Sequence, residues 1–249
     1  MDFIKTQNNN GIVSLIIERG KVNAINDQVV EKMHNTLIDL KKKSDVKAVI
    51  ISGQGKFFSF GFDIPEFLSY SKQKFTDYLI KFTELYTYMF LYPKPIIAAI
   101  NGHAVAGGCM LASACDKRVM VSGKAKISLN EISFGSSVFA GSTEMMRFCV
   151  GSKNTEEILY SGKMYSAEEA KVLGLIDEIT SENELMNVAT TIALELSGKS
   201  APAFADIKLL LRRSVADEMR SKELDSIKRF VDIWYSENTW KNLQNIKIH

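Results

Sequence analysis

With 249 residues, 46% of them hydrophobic, the chain is long enough to bury a sizeable core, and one catalytic core with an appendage is the working expectation. Lys and Arg number 31 against 29 Asp and Glu, a net charge of +2 that sets up no strong field and argues against nucleic acid, although residues 41–43 and Arg212 and Arg213 offer basic runs to phosphates. Cys109, Cys115 and Cys149 show neither zinc spacing nor a paired framework and read as buried reduced thiols; no apolar run reaches the ~18 residues of a membrane span and no targeting segment is visible, so a soluble cytoplasmic protein is expected.

Residues 12–17 are a β-rich run after an Asn-Asn-Asn-Gly turn, and Val30, Met33, Leu37 and Leu40 then recur at steps of three and four, marking one face of a helix. Residues 46–51 predict the next strand, 75–91 a helix ending before Pro93, and 96–100, without a polar residue, a strand buried on both faces. This alternation predicts an α/β fold, a parallel sheet flanked by helices. The strand 96–100 runs into Asn101 and Gly102, a second turn follows at Ala106, Gly107 and Gly108, and a helix of small residues begins there. Backbone N–H groups at that helix start have no intrahelical partner and are aimed at whatever binds in front of them, an anionic oxygen being the natural guest. Upstream, in GKFFSFGFDIPEF, Gly61 lets the chain turn so that Phe62 presents its own N–H; two such donors make an oxyanion hole.

Beyond Glu131, in SLNEISFG, the Gly-Ser-rich residues 135–142 read as a loop, and 155–161, 166–173 and 183–197 as helices, with Ser166 and Glu169 as a capping box. From Ala201 onward the chain is helical almost throughout, with Phe230, Trp234 and Trp240 as large anchors in a charged setting, a composition suited to packing against another surface. The boundaries drawn are a core at 1–198 and a helical module at 199–249.

Four stretches, RGKVNAIN from Arg19, FFSFGFDI from Phe57, KPIIAAINGHAVAGGCMLASACD from Lys94 and YSAEEAKVLGLIDEI from Tyr165, together closely resemble the enoyl-CoA hydratase/isomerase (crotonase) family, and the resemblance covers nearly the whole chain. It implies a spiral of repeated strand-strand-helix turns, a C-terminal helical part that supports homotrimers or dimers of trimers, and an acyl-CoA as substrate, with no separate cofactor and no metal. It places the oxyanion donors on the N–H groups of Phe62 and Gly107, Phe62 contributing backbone only; losing one such donor in other enzymes costs roughly 3 to 4 kcal/mol. Lys21, Val22 and Ala24 fall in the early loop on which the family lays adenine and pantetheine, Phe60, Gly61, Asp63 and Ile64 in the opposing wall, and Gly108 and Met110 beside the acyl group. Lys21 is placed to meet phosphate, with Lys228 and Lys241 as candidates to reach a CoA phosphate from the C-terminal module.

The acid/base set separates the members of the family. Hydratases that this chain resembles carry two glutamates, one three residues after the oxyanion glycine and one matching Glu131; here the first is Met110, which neither orients water strongly nor relays a proton. One carboxylate suffices to take a proton from C2 of a 3-enoyl-CoA and return it to C4 of the held dienolate. The LNE segment and the AGGC followed by an apolar residue resemble the mitochondrial-type delta-3,delta-2-enoyl-CoA isomerases, so an isomerase with Glu131 as its single acid/base is expected. A specialised hydratase or another enolate-forming enzyme, such as a decarboxylase, is the second reading, and a silent acyl-CoA-binding scaffold the third. The nucleophilic aspartate of dehalogenase-type members is matched by Phe139, which leaves a covalent route without a residue. For its role Glu131 needs a pKa raised by an apolar wall. Ser136 and Ser137 read as turn residues, Glu144 as a salt-bridge partner, Glu66 as an exposed helix residue, His103 as structural or lining, and Asp116 as a pin for the next strand. Met145, Met146 and Phe139 read as apolar filling near the acyl tunnel.

Overall fold

In the computed structural model, which describes residues 3–246, the chain opens with an antiparallel hairpin of β1 (Ile4–Asn9) and β2 (Ile12–Ile17). Its two-residue turn is Asn10-Gly11, both with positive φ (53° and 89°), a conformation these two residue types adopt most easily. β1 was not anticipated: apart from Ile4 its side chains are exposed and polar, so no alternation betrays it, and the Asn-Gly turn was its one signal. The hairpin edges a six-stranded sheet in the order β1-β2-β3-β5-β7-β9, where β3 is Ala48–Gly53, β5 Ile96–Ile100, β7 Lys117–Val121 and β9 Glu178–Thr180. All pairings from β2 onward are parallel. β5 is buried along its whole length, as its apolar run predicts.

After each of β3, β5 and β7 the chain turns into a short strand of a second parallel sheet, β4 (Phe57–Ser59), β6 (His103–Val105) and β8 (Ile127–Ser128), before entering a helix. These are the turns of a crotonase spiral. Side-chain amides stitch the corner between the sheets: Asn101 Oδ1 accepts the Gly53 N–H (2.9 Å), Asn101 Nδ2 donates to Gly55 C=O (2.7 Å), and Asn23 Nδ2 donates to Gln54 and Phe57 carbonyls (3.0 and 2.8 Å). These bonds satisfy backbone groups that belong to neither ladder.

α1 (Asp27–Lys42) starts at Asn26, whose side chain accepts the Val29 N–H, and buries Val30, Met33, Leu37 and Leu40. α2 (Ile64–Phe67) and the aromatic-rich α3 (Lys72–Phe90) follow β4, and α4 (Gly107–Ala114) follows β6. α5 (Ala140–Ser161) begins inside the stretch read as a loop and breaks at Gly151 (φ 75°, ψ 164°), so the helix expected at 155–161 is its second arm. α6 (Ala167–Leu173) carries the Ser166–Glu169 capping box, and a 3-10 turn (Glu182–Glu184) leads into α7 (Leu185–Ser197).

The 34-residue α8 (Ala201–Trp234) lies across α3 and α5, and α9 (Glu237–Gln244) follows it. Phe230 and Trp234 are buried against Phe75, and Phe230 also against Phe139, so the surface these anchors pack on is the chain's own core. Asp116 bonds Ile96 N–H (2.8 Å) and pins β5, and it also pairs with the buried Lys208 (2.8 Å) and Arg212 (3.2 Å) of α8. Arg212 donates further to the carbonyls of Phe90, Ala114 and Cys115, which removes it from the basic groups offered to phosphate. Cys109 and Cys115 are buried free thiols; Cys149 is only half-buried, with its Sγ 3.6 Å from Ser113 C=O. No helix among the described residues is long and apolar enough to cross a membrane.

Candidate active site

The site is built from one loop, one helix start and one 3-10 turn. In the loop after β4, Ile25 N–H donates to Gly61 C=O (2.8 Å) and Asp63 N–H donates to Ile25 C=O (3.1 Å). A trans peptide holds its C=O and N–H on opposite sides, so the Phe62 N–H points away from Ile25, and no acceptor takes it among the described residues. Gly61 (φ 92°) has its own N–H satisfied by Ser59 Oγ (3.1 Å), and a β-carbon there would stand 2.9 Å from Val105 C=O and 3.2 Å from Gly107 N. The absence of a side chain at 61 is therefore what lets the two donor-bearing segments touch.

Gly107 is the first residue of α4, and its N–H is likewise free of a protein acceptor among the described residues. The residue before it, Ala106, has φ 50° and ψ −120°, the backbone that a type II′ turn asks of its first central residue and that glycine normally supplies. A β-carbon at Gly107 would meet the Phe62 ring at 3.1 Å, and one at Gly108 would overlap Ser59 C=O, so both glycines are demanded by close approach. The helix dipole adds to the positive potential at the Gly107 N–H.

Glu131 opens the 3-10 turn Glu131–Phe134 after β8. It is 4% exposed, and its Oε2 is buried with no hydrogen-bond partner. Burial pushes its pKa up to about 8, offset in part by its own backbone N–H. Phe62, Ala106 and Glu131 line one cavity of about 330 Å³; Phe60, Ile64 and Val105 continue its wall on one side, and Phe134, Phe139, Phe230, Trp234 and Ile246 on the other. Asn130 and Ser133 supply its remaining polar side chains, so Glu131 is the single titratable group among the described lining residues. A carboxylate that changes charge near pH 8, in an apolar cavity lined also by Phe62 and by the residue before Gly107, is equipped to move a proton at a carbon next to a carbonyl whose oxygen such backbone donors hold.

Of the anticipated residues, Phe60, Phe62, Ile64 and Glu131 line the cavity, Gly61 and Gly107 stand next in the chain to its lining residues Phe62 and Ala106, and Gly108 packs against Ser59. Val22 and Ala24 are buried beneath the loop, Val22 C=O accepting the Phe60 N–H (2.9 Å) and Ala24 C=O accepting Arg19 Nη1 (3.2 Å); Lys21 is exposed. Asp63 is engaged elsewhere, capping α2 through the Glu66 N–H and pairing with Arg19 (2.5 Å). Met110, Met145 and Met146 are buried in the hydrophobic core, as filling residues would be, and are not among the described residues that line this cavity. Glu66 is corrected, being half-buried and accepting from Arg19 (3.0 Å), Asn26 (2.9 Å) and Tyr70 (2.8 Å) in a network that braces the loop. Glu144 pairs with Arg147 and Lys222, and Ser136 is buried with its N–H on Glu131 C=O. His103 lies on β6 against the Phe57 ring, its pKa lowered by burial and by Lys126. Lys228 is exposed and paired with Asp225, and Lys241 is exposed in the last turn of α9. The lining contributions of Asn130, Phe134, Phe230, Trp234 and Ile246 were not anticipated. Their size in a charged setting marked Phe230 and Trp234 as anchors, but nothing local ties them to residues a hundred positions upstream.

A spiral of strand-strand-helix turns with a helix starting at an acceptor-free Gly107 N–H and a buried carboxylate in the cavity beside it is the architecture of the crotonase class of acyl-CoA enzymes. The chain belongs to the enoyl-CoA hydratase/isomerase family, which it matches over residues 7–242. It is 32% identical over 237 residues to a probable enoyl-CoA hydratase of Bacillus subtilis (94% of this chain and 91% of the relative). It is 30% identical over 228 residues to a peroxisomal delta(3,5)-delta(2,4)-dienoyl-CoA isomerase of Arabidopsis thaliana (86% and 82%). The human mitochondrial delta3-delta2-enoyl-CoA isomerase shares the fold with a TM-score of 0.93 at 21% identity, covering 97% of this chain and 95% of that one.

Proposed function

We propose that the protein shifts the double bond of a 3-enoyl-CoA to the 2-position, with Glu131 as the sole acid and base. The observation that carries this reading is that a cavity with one titratable side chain among its described lining residues is lined by Phe62 and by Ala106, the residue before Gly107, and that the N–H groups of Phe62 and Gly107 have no acceptor among the described residues. The thioester oxygen accepts from Phe62 N–H and Gly107 N–H. Glu131 takes a proton from C2, the charge spreads over the thioester oxygen and C4 as a dienolate stabilised by the two donors, and the same carboxyl returns the proton to C4. The proton count closes without water or a second acid, and a base with a pKa of about 8 is well matched to a weakly acidic carbon near neutral pH. The CoA ester is substrate rather than resident cofactor, with Lys21 at the rim as a contact for its phosphates. The exposed apolar residues Ile207, Leu210 and Leu211 of α8 suit a homotrimer.

A second reading, hydration of a 2-enoyl-CoA, is favoured by Asn130 and Ser133, two polar side chains at the cavity that suit a bound water, and it accords with the hydratase names among the relatives. The deciding experiment compares the wild type and Glu131→Gln on 3-hexenoyl-CoA and crotonyl-CoA with products separated by chromatography. Formation of the 2-enoyl ester, lost in the variant, is the expected result; hydration of crotonyl-CoA without isomerisation would overturn the isomerase reading. Activity indifferent to the substitution would instead sink any role for Glu131.

A further inference from the structure

One buried carboxylate takes no part in the chemistry above. Glu223, on α8, is 8% exposed and accepts the Gly141 N–H at Oε2 (3.0 Å), while Ser226, three residues on, accepts the Ala140 N–H (3.0 Å). Together they take two of the N–H groups that the first turn of α5 leaves unpaired. Tyr86 of α3 brings its hydroxyl to the same spot, and a β-carbon on Gly141 would overlap both it and the Glu223 carboxylate. The junction therefore joins α5 to α8 through Glu223 with no room for a side chain at Gly141, Tyr86 of α3 packing beside it, while Glu223 also lines a second cavity of about 440 Å³ on the α3 side.

What stands immediately before that junction is Phe139, the residue preceding α5, whose ring forms cavity wall. The Phe139 ring lies 4.4 Å from that of Phe230, seven residues along α8 from Glu223, and 6.3 Å from that of Phe62 at the donor pair. Tyr86 reaches Phe62 by a second route, through Phe82 (5.6 Å and then 4.9 Å between ring centroids). The α8 wall and the Phe139 wall are thus locked to each other from behind, where the acyl group does not reach.

We infer that Glu223 is a positioning residue: by holding the first turn of α5 against α8 it sets the place of Phe139 and so decides which acyl lengths the cavity accepts. This rests on the reading that the acyl group of a thioester occupies the cavity. Burial already pushes the Glu223 carboxyl up to about 7, so a neutral amide is a fair mimic of it, one that keeps an oxygen for the Gly141 N–H.

The test is calorimetric binding of saturated acyl-CoA esters from butanoyl to dodecanoyl, which needs no turnover, to the wild type, Glu223→Gln, Glu223→Ala and Ser226→Ala. Glu223→Gln is expected to stay within about twofold of the wild type at every length. Glu223→Ala is expected to move the preference toward longer chains, improving the dodecanoyl-to-hexanoyl affinity ratio by about fivefold or more, on the scale by which methylenes are discriminated in apolar pockets. Ser226→Ala, a smaller loss that serves if Glu223→Ala fails to fold, is expected to move the ratio the same way by about twofold. A uniform change across lengths, or none, in the alanine variants would overturn the positioning role. A wild type that binds none of these esters would overturn the acyl-cavity reading itself, and the inference with it.

Discussion

The role proposed for Glu131 rests on what surrounds it: burial in an apolar cavity, with an Oε2 that has no partner, raises its pKa to about 8, against an ordinary 4.5. Between those two values the folded protein keeps a proton that the unfolded chain has released, so this group's contribution to stability falls as pH rises through the window and stays low above it. Glu131→Gln removes that cost; urea unfolding at pH 9 is expected to show the variant more stable by a few kcal/mol, with the difference vanishing near pH 4. The same substitution is expected to lower kcat on 3-hexenoyl-CoA by about 10²- to 10⁴-fold. Because the base works deprotonated, log kcat/KM of the wild type is expected to climb with pH and level off near 8, while the residual rate of the variant is flat. Glu131 and the donor positions were legible in the sequence because each belongs to a short contiguous motif. The value of the pKa was not, since it depends on Phe139, Phe230 and Trp234 arriving from elsewhere in the chain.

At the level of elements, two turns do the positioning, and both depend on unusual backbone. Ala106 holds positive φ at the start of α4, a strain of roughly 1 kcal/mol or more that the close packing of Gly61 and Gly107 around it sustains. Ala106→Gly is expected to raise Tm by about 2–4 °C through relief of that strain, and to slow turnover severalfold as the Gly107 N–H loses its fixed direction. Gly61→Ala is expected to do the reverse of the first and more of the second. Its β-carbon meets Val105 C=O and Gly107 N, so stability drops by about 1–3 kcal/mol and kcat by about 10²-fold, as for loss of an oxyanion donor; paired thermal melts and steady-state rates check both substitutions. The elements themselves were readable where burial leaves a mark in the sequence, a three- and four-residue period in α1 and an unbroken apolar run in β5. They were not where pairing alone makes the strand, as in β1, β4, β6 and β8, each too short or too polar to carry a pattern.

For the molecule as a whole, the division at residue 199 meets a structure in which α8 is fastened to the spiral by buried charge. Asp116, Lys208 and Arg212 form one cluster, with burial lowering the Lys208 pKa to about 8. Asp116→Asn leaves two buried cations without their anion and is expected to cost about 3–5 kcal/mol, with the wild type unfolding in urea as a single transition; two separate transitions in the wild type would mark residues 199–249 as an independent unit. Sedimentation equilibrium is expected to give three times the chain mass of 27.9 kDa, and a monomer would remove the trimer from the reading. The spiral could be foreseen from four motifs in order; the inward packing of α8 could not, because a helix with apolar residues on several faces does not declare which of them meets its own core.

The cavity wall supplied by Phe230, Trp234 and Ile246 has a consequence for the order in which the protein comes into being. Glu131, Gly107 and Phe62 precede Phe230 by about 100, 120 and 170 residues, so all three are made roughly 5–20 s or more before this wall at ordinary synthesis rates. Until α8 closes over it, the carboxylate faces water, its pKa stays low and an enolate has no dry place to form. On the proposed mechanism the nascent protein therefore carries its reacting groups before the cavity that makes them effective, and the docking of α8 brings the two together.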